Sequence, residues 1–240
     1  MRAIHAVTAG ANARMGRRGD DLISTRRRSL RHVVAFTAVA LSTYGCALFP
    51  LPSGDAEMSF FLTSRNLGNG GDLGGLAGAD AHCAALASAA GSQGREWRAY
   101  LSASAVDGQP DVHARDRIGS GPWFNARGAQ VAADVDDLHA LSNELGARTS
   151  LDEDGQTVAG GIHDILTGSN PDGTLAGDTA TCSNWTSASP NDQAMLGHHN
   201  RRGGGDRPDS WNAAHLSRGC DLPSLAATAG DARFYCFAVD

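Results

Sequence analysis

Three stretches of the chain carry a strand-like pattern of apolar and polar positions. "MSFFLTS" at 58–64 is apolar and β-prone, "EWRAYLSAS" at 96–104 alternates with the period of a strand, and "DARFYCFAV" at 231–239 predicts a terminal strand. Between the first two, "GGLAGADAHCAALASAAG" at 74–91 is rich in alanine, the best helix former, and Gly91 supplies the stop. "DVDDLHALSNEL" at 134–145 predicts a short helix. From 146 to 230 the hydrophobic residues are widely spaced among Gly, Asn, Asp, Ser, Thr and Pro. So long a loop-rich stretch within a compact domain is either disordered or pinned and functional. This one holds two cysteines and two tryptophans, which favours pinned.

The charge pattern divides the chain at about residue 45. Residues 1–45 hold eight arginines against two acids, and the remainder holds twelve arginines against 24 acids, giving net charges of about +6 and about −12. An acidic body excludes a nucleic-acid partner, because that contact needs a cationic surface that releases counterions. The basic head contains "TRRRSLRH" at 25–32, then the 13-residue run "VVAFTAVALSTYG" at 33–45, then Cys46. A positive segment, an apolar run too short to span a bilayer and a small residue before the cut make a signal peptide. Gly45-Cys46 resembles the end of a bacterial lipobox, with Thr43 where Leu or Val is usual, and "TRRRSLR" resembles a twin-arginine motif with Ser29 where Phe is preferred. The expected organisation is a signal peptide at 1–45, a tether at 46–57 carrying a lipid on Cys46, and one domain at 58–240. The expected location is the bacterial cell envelope, anchored to the membrane through that lipid, or the secreted fraction.

Four cysteines remain beyond Cys46: Cys83, Cys182, Cys220 and Cys236. An even number in an exported domain predicts two disulfides, with three possible connectivities. Their spacings include no pair two to four residues apart, so a cysteine zinc site does not fit. Cys83 in the first helix, Cys182 before a tryptophan, Cys220 after "SWN" and Cys236 in "FYCFA" resemble the four-cysteine frame of C-type lectin-like domains. "GLAGADAHC", "WRAYLSAS", "DRIGSGPWFNARG" and "ILTGSNPDGT" leading to "CSNWTS" look more specifically like endostatin, in the same order and over about residues 58–238. The resemblance implies an α+β, C-type lectin-like (endostatin-like) fold: a mixed twisted sheet with flanking helices and a long disulfide-stapled loop region. It also implies the pairs Cys83–Cys236 and Cys182–Cys220.

In sugar-binding members of that family calcium is held by a Glu/Gln-Pro-Asn/Asp tripeptide and a Trp-Asn-Asp motif. This chain has Ser189-Pro190-Asn191-Asp192 and Trp211-Asn212-Ala213, so two ligands are lost. Asn191, Asp192, Asp206, Asp209 and Asn212 retain oxygen donors for a degenerate calcium site, but turn chemistry accounts for them without an ion. His163, His198, His199 and His215 also fall in the long-loop region, each reading alone as a hydrogen-bonded loop residue. His198 and His199 are neighbours and point to opposite faces if extended. The histidine group of the endostatin zinc site has no counterpart at the start of this domain. No cofactor and no metal ligand is therefore assigned. "RRGGGDRPDSW" at 201–211 offers glycines for close approach and arginine forks for anions, without the Lys-Ser/Thr of a phosphate loop. "LDEDGQTV" at 151–158 predicts a hairpin turn. Trp185, beside Cys182, is assigned to the core, and Trp211 to an exposed position where it stacks on a sugar.

No nucleophile-base arrangement stands out, so the chain is not expected to be an enzyme. The expected function is an exported binding module for a glycan, or an adhesive surface protein. The expected ligand residues are Asn191, Asp192, His198, His199, Asp206, Trp211, Asn212 and His215. The alternatives are a structural or protein-interaction component that binds an extracellular protein and no sugar, and a metal-dependent hydrolase.

Overall fold

The protein's structure, a computed structural model, describes residues 57–239. The expected signal peptide, the expected lipidation site at Cys46 and nearly all of the expected tether lie outside the described residues. The described unit is mixed α+β and is organised around one long strand, β8 (Gly230–Ala238). Strands β1 (Phe60–Leu62) and β2 (Trp97–Ala99) each pair antiparallel with its second half. Strand β5 (Asp164–Leu166) runs parallel to its first half, followed across the sheet by β6 (Met195–His198) and β7 (His215–Leu216), both antiparallel to their neighbours. The remaining two strands, β3 (Trp123–Phe124) and β4 (Gln130–Ala132), form a separate hairpin.

Strand alternation sorts the core into two halves, one on each face of the sheet. Phe61, Leu166, Leu196, Phe234 and Cys236 pack with helix α1 (Gly75–Ala89) through Ala79, Cys83, Leu86 and Ala87. Those four helix positions recur at intervals of four, three and one, the stripe that an α-helix turns toward one side. Phe60, Leu62, Ile165, Tyr235 and Phe237 point the other way, onto Tyr100, Ile118, Trp123, Val131, Leu138 and Trp211. The alanine-rich helix ends as its sequence predicts. Gly91 adopts φ 91°, its N–H donates to the carbonyl of Ser88, and the N–H of Ser92 donates to that of Ala87, which is a Schellman stop.

The second predicted helix is shorter than its pattern. Helix α2 (Val135–His139) starts where the Asp134 carboxylate accepts from the N–H of Asp137, and stops after five residues. Asn143 ends it by donating its side-chain amide to the carbonyls of Leu138 and Ala140, which leaves 140–145 as turn. Residues 151–158 form the predicted hairpin turn, with Leu151 bridging Thr157 and the Asp152 carboxylate accepting from the N–H groups of Asp154 and Gln156. No helix among the described residues is long and apolar enough to cross a membrane.

Two disulfides pin this frame: Cys83–Cys236 joins α1 to β8, and Cys182–Cys220 closes the long-loop region. Cys182 opens α3 (Cys182–Trp185), a single turn in which Cys182, Ser183, Asn184 and Trp185 have φ between 48° and 65°. These are left-handed values, costing roughly 1–2 kcal/mol for each non-glycine residue. Asn184 holds the turn from its side chain, accepting from the N–H of Ser104 and donating to the carbonyl of the same residue. Trp185, fully buried, donates its indole N–H to the carbonyl of Ser102 at 2.8 Å. Helix α4 (Leu222–Ala226) then leads into β8.

Candidate functional site

Asp164 opens β5 in a run that is otherwise apolar, and its carboxylate is shut off from solvent. Its partner across the antiparallel pair is His198, the last residue of β6. His215, the first residue of β7, sits opposite Leu196, which is two residues before His198 and on the same face. Three adjacent strands thus bring one carboxylate and two imidazoles together, and His163, just before β5, adds a third. The Nε2 atoms of His163 and His198 lie 3.3 and 3.2 Å from Asp164 Oδ1, and Nε2 of His215 lies 3.5 Å from Oδ2.

The far sides of two of these rings are anchored by backbone. His198 Nδ1 is 2.8 Å from the carbonyl of Pro208, and His215 Nδ1 is 2.9 Å from that of Leu216. Because a carbonyl only accepts, each Nδ1 carries the hydrogen. The glycine-rich segment folds over the rings. A Cβ on Gly203 would stand 2.5 Å from the His198 imidazole, and one on Gly205 would stand 2.8 Å from the Cβ of His215. Both glycines have positive φ, so neither position accepts a side chain.

Burial alone would raise the Asp164 carboxyl, but the His198 and His215 imidazoles and the Thr228 hydroxyl outweigh it and hold the group at about 2. His215 is pushed up, chiefly by contact with that carboxylate and against the effect of burial. His163 is pushed down, first by burial and then by repulsion from the other two imidazoles. Beside the cluster an open depression of about 430 Å³ is lined by His163, Gly204, Gly205, His215, Arg218 and Thr228. Only His163 and His215 reach it from the cluster, with about a fifth of each side chain exposed, while His198 and Asp164 lie beneath.

The eight residues expected to bind ligand fall in several places. His198 and His215 belong to this cluster. His199 turns away and donates Nε2–H to the carbonyl of Ile162, and burial, offset in part by that bond, pushes its imidazole down to about 4. Asn191 and Asp192 line another depression with Asp178, Thr179 and Ser183, and the Asp192 carboxylate accepts from the hydroxyls of Ser183 and Ser187. Asp206 is exposed on the glycine-rich segment.

Trp211 and Asn212 are corrected by the structure. Trp211 is 3% exposed and packed against Tyr100, Tyr235 and His139, so its faces are occupied by protein rings rather than open to a sugar. The Asn212 amide donates to the Tyr100 hydroxyl at 2.9 Å and to the carbonyls of Asn170 and Pro171, and its oxygen accepts from Ser210. The Tyr100 hydroxyl in turn donates to Nε2 of His139, whose Nδ1–H is held by the carbonyl of Val135. Asn212→Ala is expected to cost about 3 kcal/mol in a denaturant titration, since it removes four hydrogen bonds from a buried site, to the Tyr100 hydroxyl, from Ser210 and to the carbonyls of Asn170 and Pro171. A cost below about 1 kcal/mol would mean that water replaces the amide.

From the sequence His163 reads as a hydrogen-bonded loop residue, and Asp164 is assigned no role. The available signal was an acid directly before the apolar pair Ile165-Leu166, where a strand leaves no exposed position for it. No protein-family model matches the chain, and no curated protein matches its sequence.

Proposed function

We propose that the chain is an exported binding module with a C-type lectin-like fold of the endostatin kind, and that it takes a glycan in the depression beside His163 and His215. The carrying observation is that imidazole, guanidinium and hydroxyl groups converge with bare glycine backbone at one open site of about 430 Å³. That volume lies within the roughly 300–1,000 Å³ of small-ligand sites. Sugar hydroxyls need such mixed donors and acceptors, and glycines let a ring approach the main chain. The fold reading is supported by the two disulfides, which join the same helix, loops and strand as in the resemblance. Disulfides of this kind also suit an oxidising compartment outside the cytoplasm, in keeping with the export signal and an anchor at Cys46. The partner is then a glycan of the envelope or its surroundings, bound and released without chemical change.

The test is a glycan array probed with the tag-free chain and its variants. His215→Ala and Arg218→Ala are expected to weaken binding to the identified glycan about tenfold or more, while Asn191→Ala, in the other depression, leaves it unchanged. Equal binding by all four proteins, or hydrolysis of the glycan during incubation, would overturn the reading.

A further inference from the structure

The hydrogen bonding around the Asp164 cluster is incomplete. With Nδ1 of His198 and of His215 turned to backbone carbonyls, their Nε2 atoms face the buried carboxylate at 3.2 and 3.5 Å. Neither Asp164 oxygen nor His198 Nε2 has a hydrogen-bond partner, although all three atoms are buried.

Two of the cluster's spacings match those between atoms bonded to one metal ion. Two ligand atoms bonded to zinc at tetrahedral angles stand about 3.3 Å apart, given bonds of about 2.0–2.1 Å. The His163 and His198 contacts to Asp164 Oδ1 are 3.3 and 3.2 Å, and the ligand atoms of these three residues lie within 4.8 Å of one another. The outer contacts fit as well. A metal-bound imidazole ordinarily gives its second N–H to a carbonyl or carboxylate, as His198 gives its own to Pro208. Two imidazoles and a carboxylate suit zinc, whereas calcium and magnesium take oxygen ligands throughout.

We propose that His163, Asp164 and His198 bind one zinc ion, that His215 steadies the second oxygen of Asp164, and that the fourth coordination position faces the open depression. Three protein ligands and one exchangeable position make a zinc that takes an oxygen from a bound molecule or water, rather than one closed off for structure. The proposal goes beyond glycan binding and stands or falls separately from it.

The experiment uses the tag-free full-length chain, stripped with EDTA and titrated with zinc alone, with bound metal counted by elemental analysis. One zinc per chain is expected, with sub-micromolar affinity. Cobalt substituted for zinc should give the intense visible absorption of a low-coordinate site with nitrogen ligands. His163→Ala, at the rim of the cluster where folding is least disturbed, should weaken zinc more than about 100-fold, and His215→Ala about 10–100-fold. His82→Ala, whose ring contacts the carbonyl of Arg65 far along the chain, should leave zinc binding unchanged. Asp164→Asn gives a second reading of the centre, with circular dichroism as the check on folding. Absence of saturable zinc, or zinc held equally well by wild type and His163→Ala, overturns the proposal. A chain that binds zinc but no glycan overturns only the reading of the previous section.

Discussion

Replacing Cys83 and Cys236 together by alanine is expected to lower stability by about 5 kcal/mol, a large share of the roughly 5–15 kcal/mol that holds a domain folded. The bridge spans 153 residues and so restrains nearly the whole unfolded domain, while Cys182–Cys220 spans 38 and is worth about 4 kcal/mol by the same chain-entropy argument. Location adds to the difference. Cys83 lies on the buried stripe of α1 and Cys236 in the second half of β8, both without exposure, so the bridge links the helix to the strand around which the sheet is ordered. Urea titrations of the oxidised wild type and the two double-alanine variants measure both costs. Equal midpoints for all three proteins would mean that the staples contribute nothing, and peptide mapping without reductant would show whether the same cysteines pair.

The second large effect is expected at Trp185. Trp185→Ala should cost about 3–5 kcal/mol, the usual range for removing a buried large aromatic. The ring fills the space between the sheet and the long-loop region so closely that a Cβ on Gly168 would come within 2.8 Å of it. Trp185→Phe separates volume from hydrogen bonding. It keeps most of the bulk but leaves the buried carbonyl of Ser102 without its donor, at about 1–3 kcal/mol. Thermal unfolding of the three proteins gives the order wild type, phenylalanine, alanine. An alanine variant that melts with the wild type would show that the loop region does not depend on this ring.

The elements legible in the sequence are those whose own pattern is sufficient. Strands β1, β2 and β8 show in runs of apolar or alternating residues, and α1 in its alanines and its glycine stop. Strands β5, β6 and β7 were hidden because they have three, four and two residues, too few for a period to emerge, and they exist by pairing across the sheet. The Asp164 cluster was hidden for the same reason. Its members at 163, 164, 198 and 215 have no regular spacing. Only the register of β5, β6 and β7 puts Asp164, His198 and His215 on one face, with His163 joining from just before β5. The glycines at 203–205 read as permitting close approach to a ligand, and Gly203 instead approaches the His198 ring. Trp211 reads as the exposed aromatic of a pinned polar loop, whereas its neighbours in space are Tyr100 and Tyr235.

The left-handed turn at Cys182–Trp185 bears on how far this loop can be moved between proteins. None of its four residues favours that backbone, and only Asn184 tolerates it with any ease. What imposes it lies elsewhere in the chain: Cys220 through the disulfide, Ser104 through the Asn184 amide, and Ser102 through the Trp185 indole. Residues 178–192 grafted into another scaffold would carry the letters of the loop without its conformation. A transplantable unit would have to include the partners at 102, 104 and 220, which makes the loop, for the purposes of engineering and of divergence alike, inseparable from the domain that carries it.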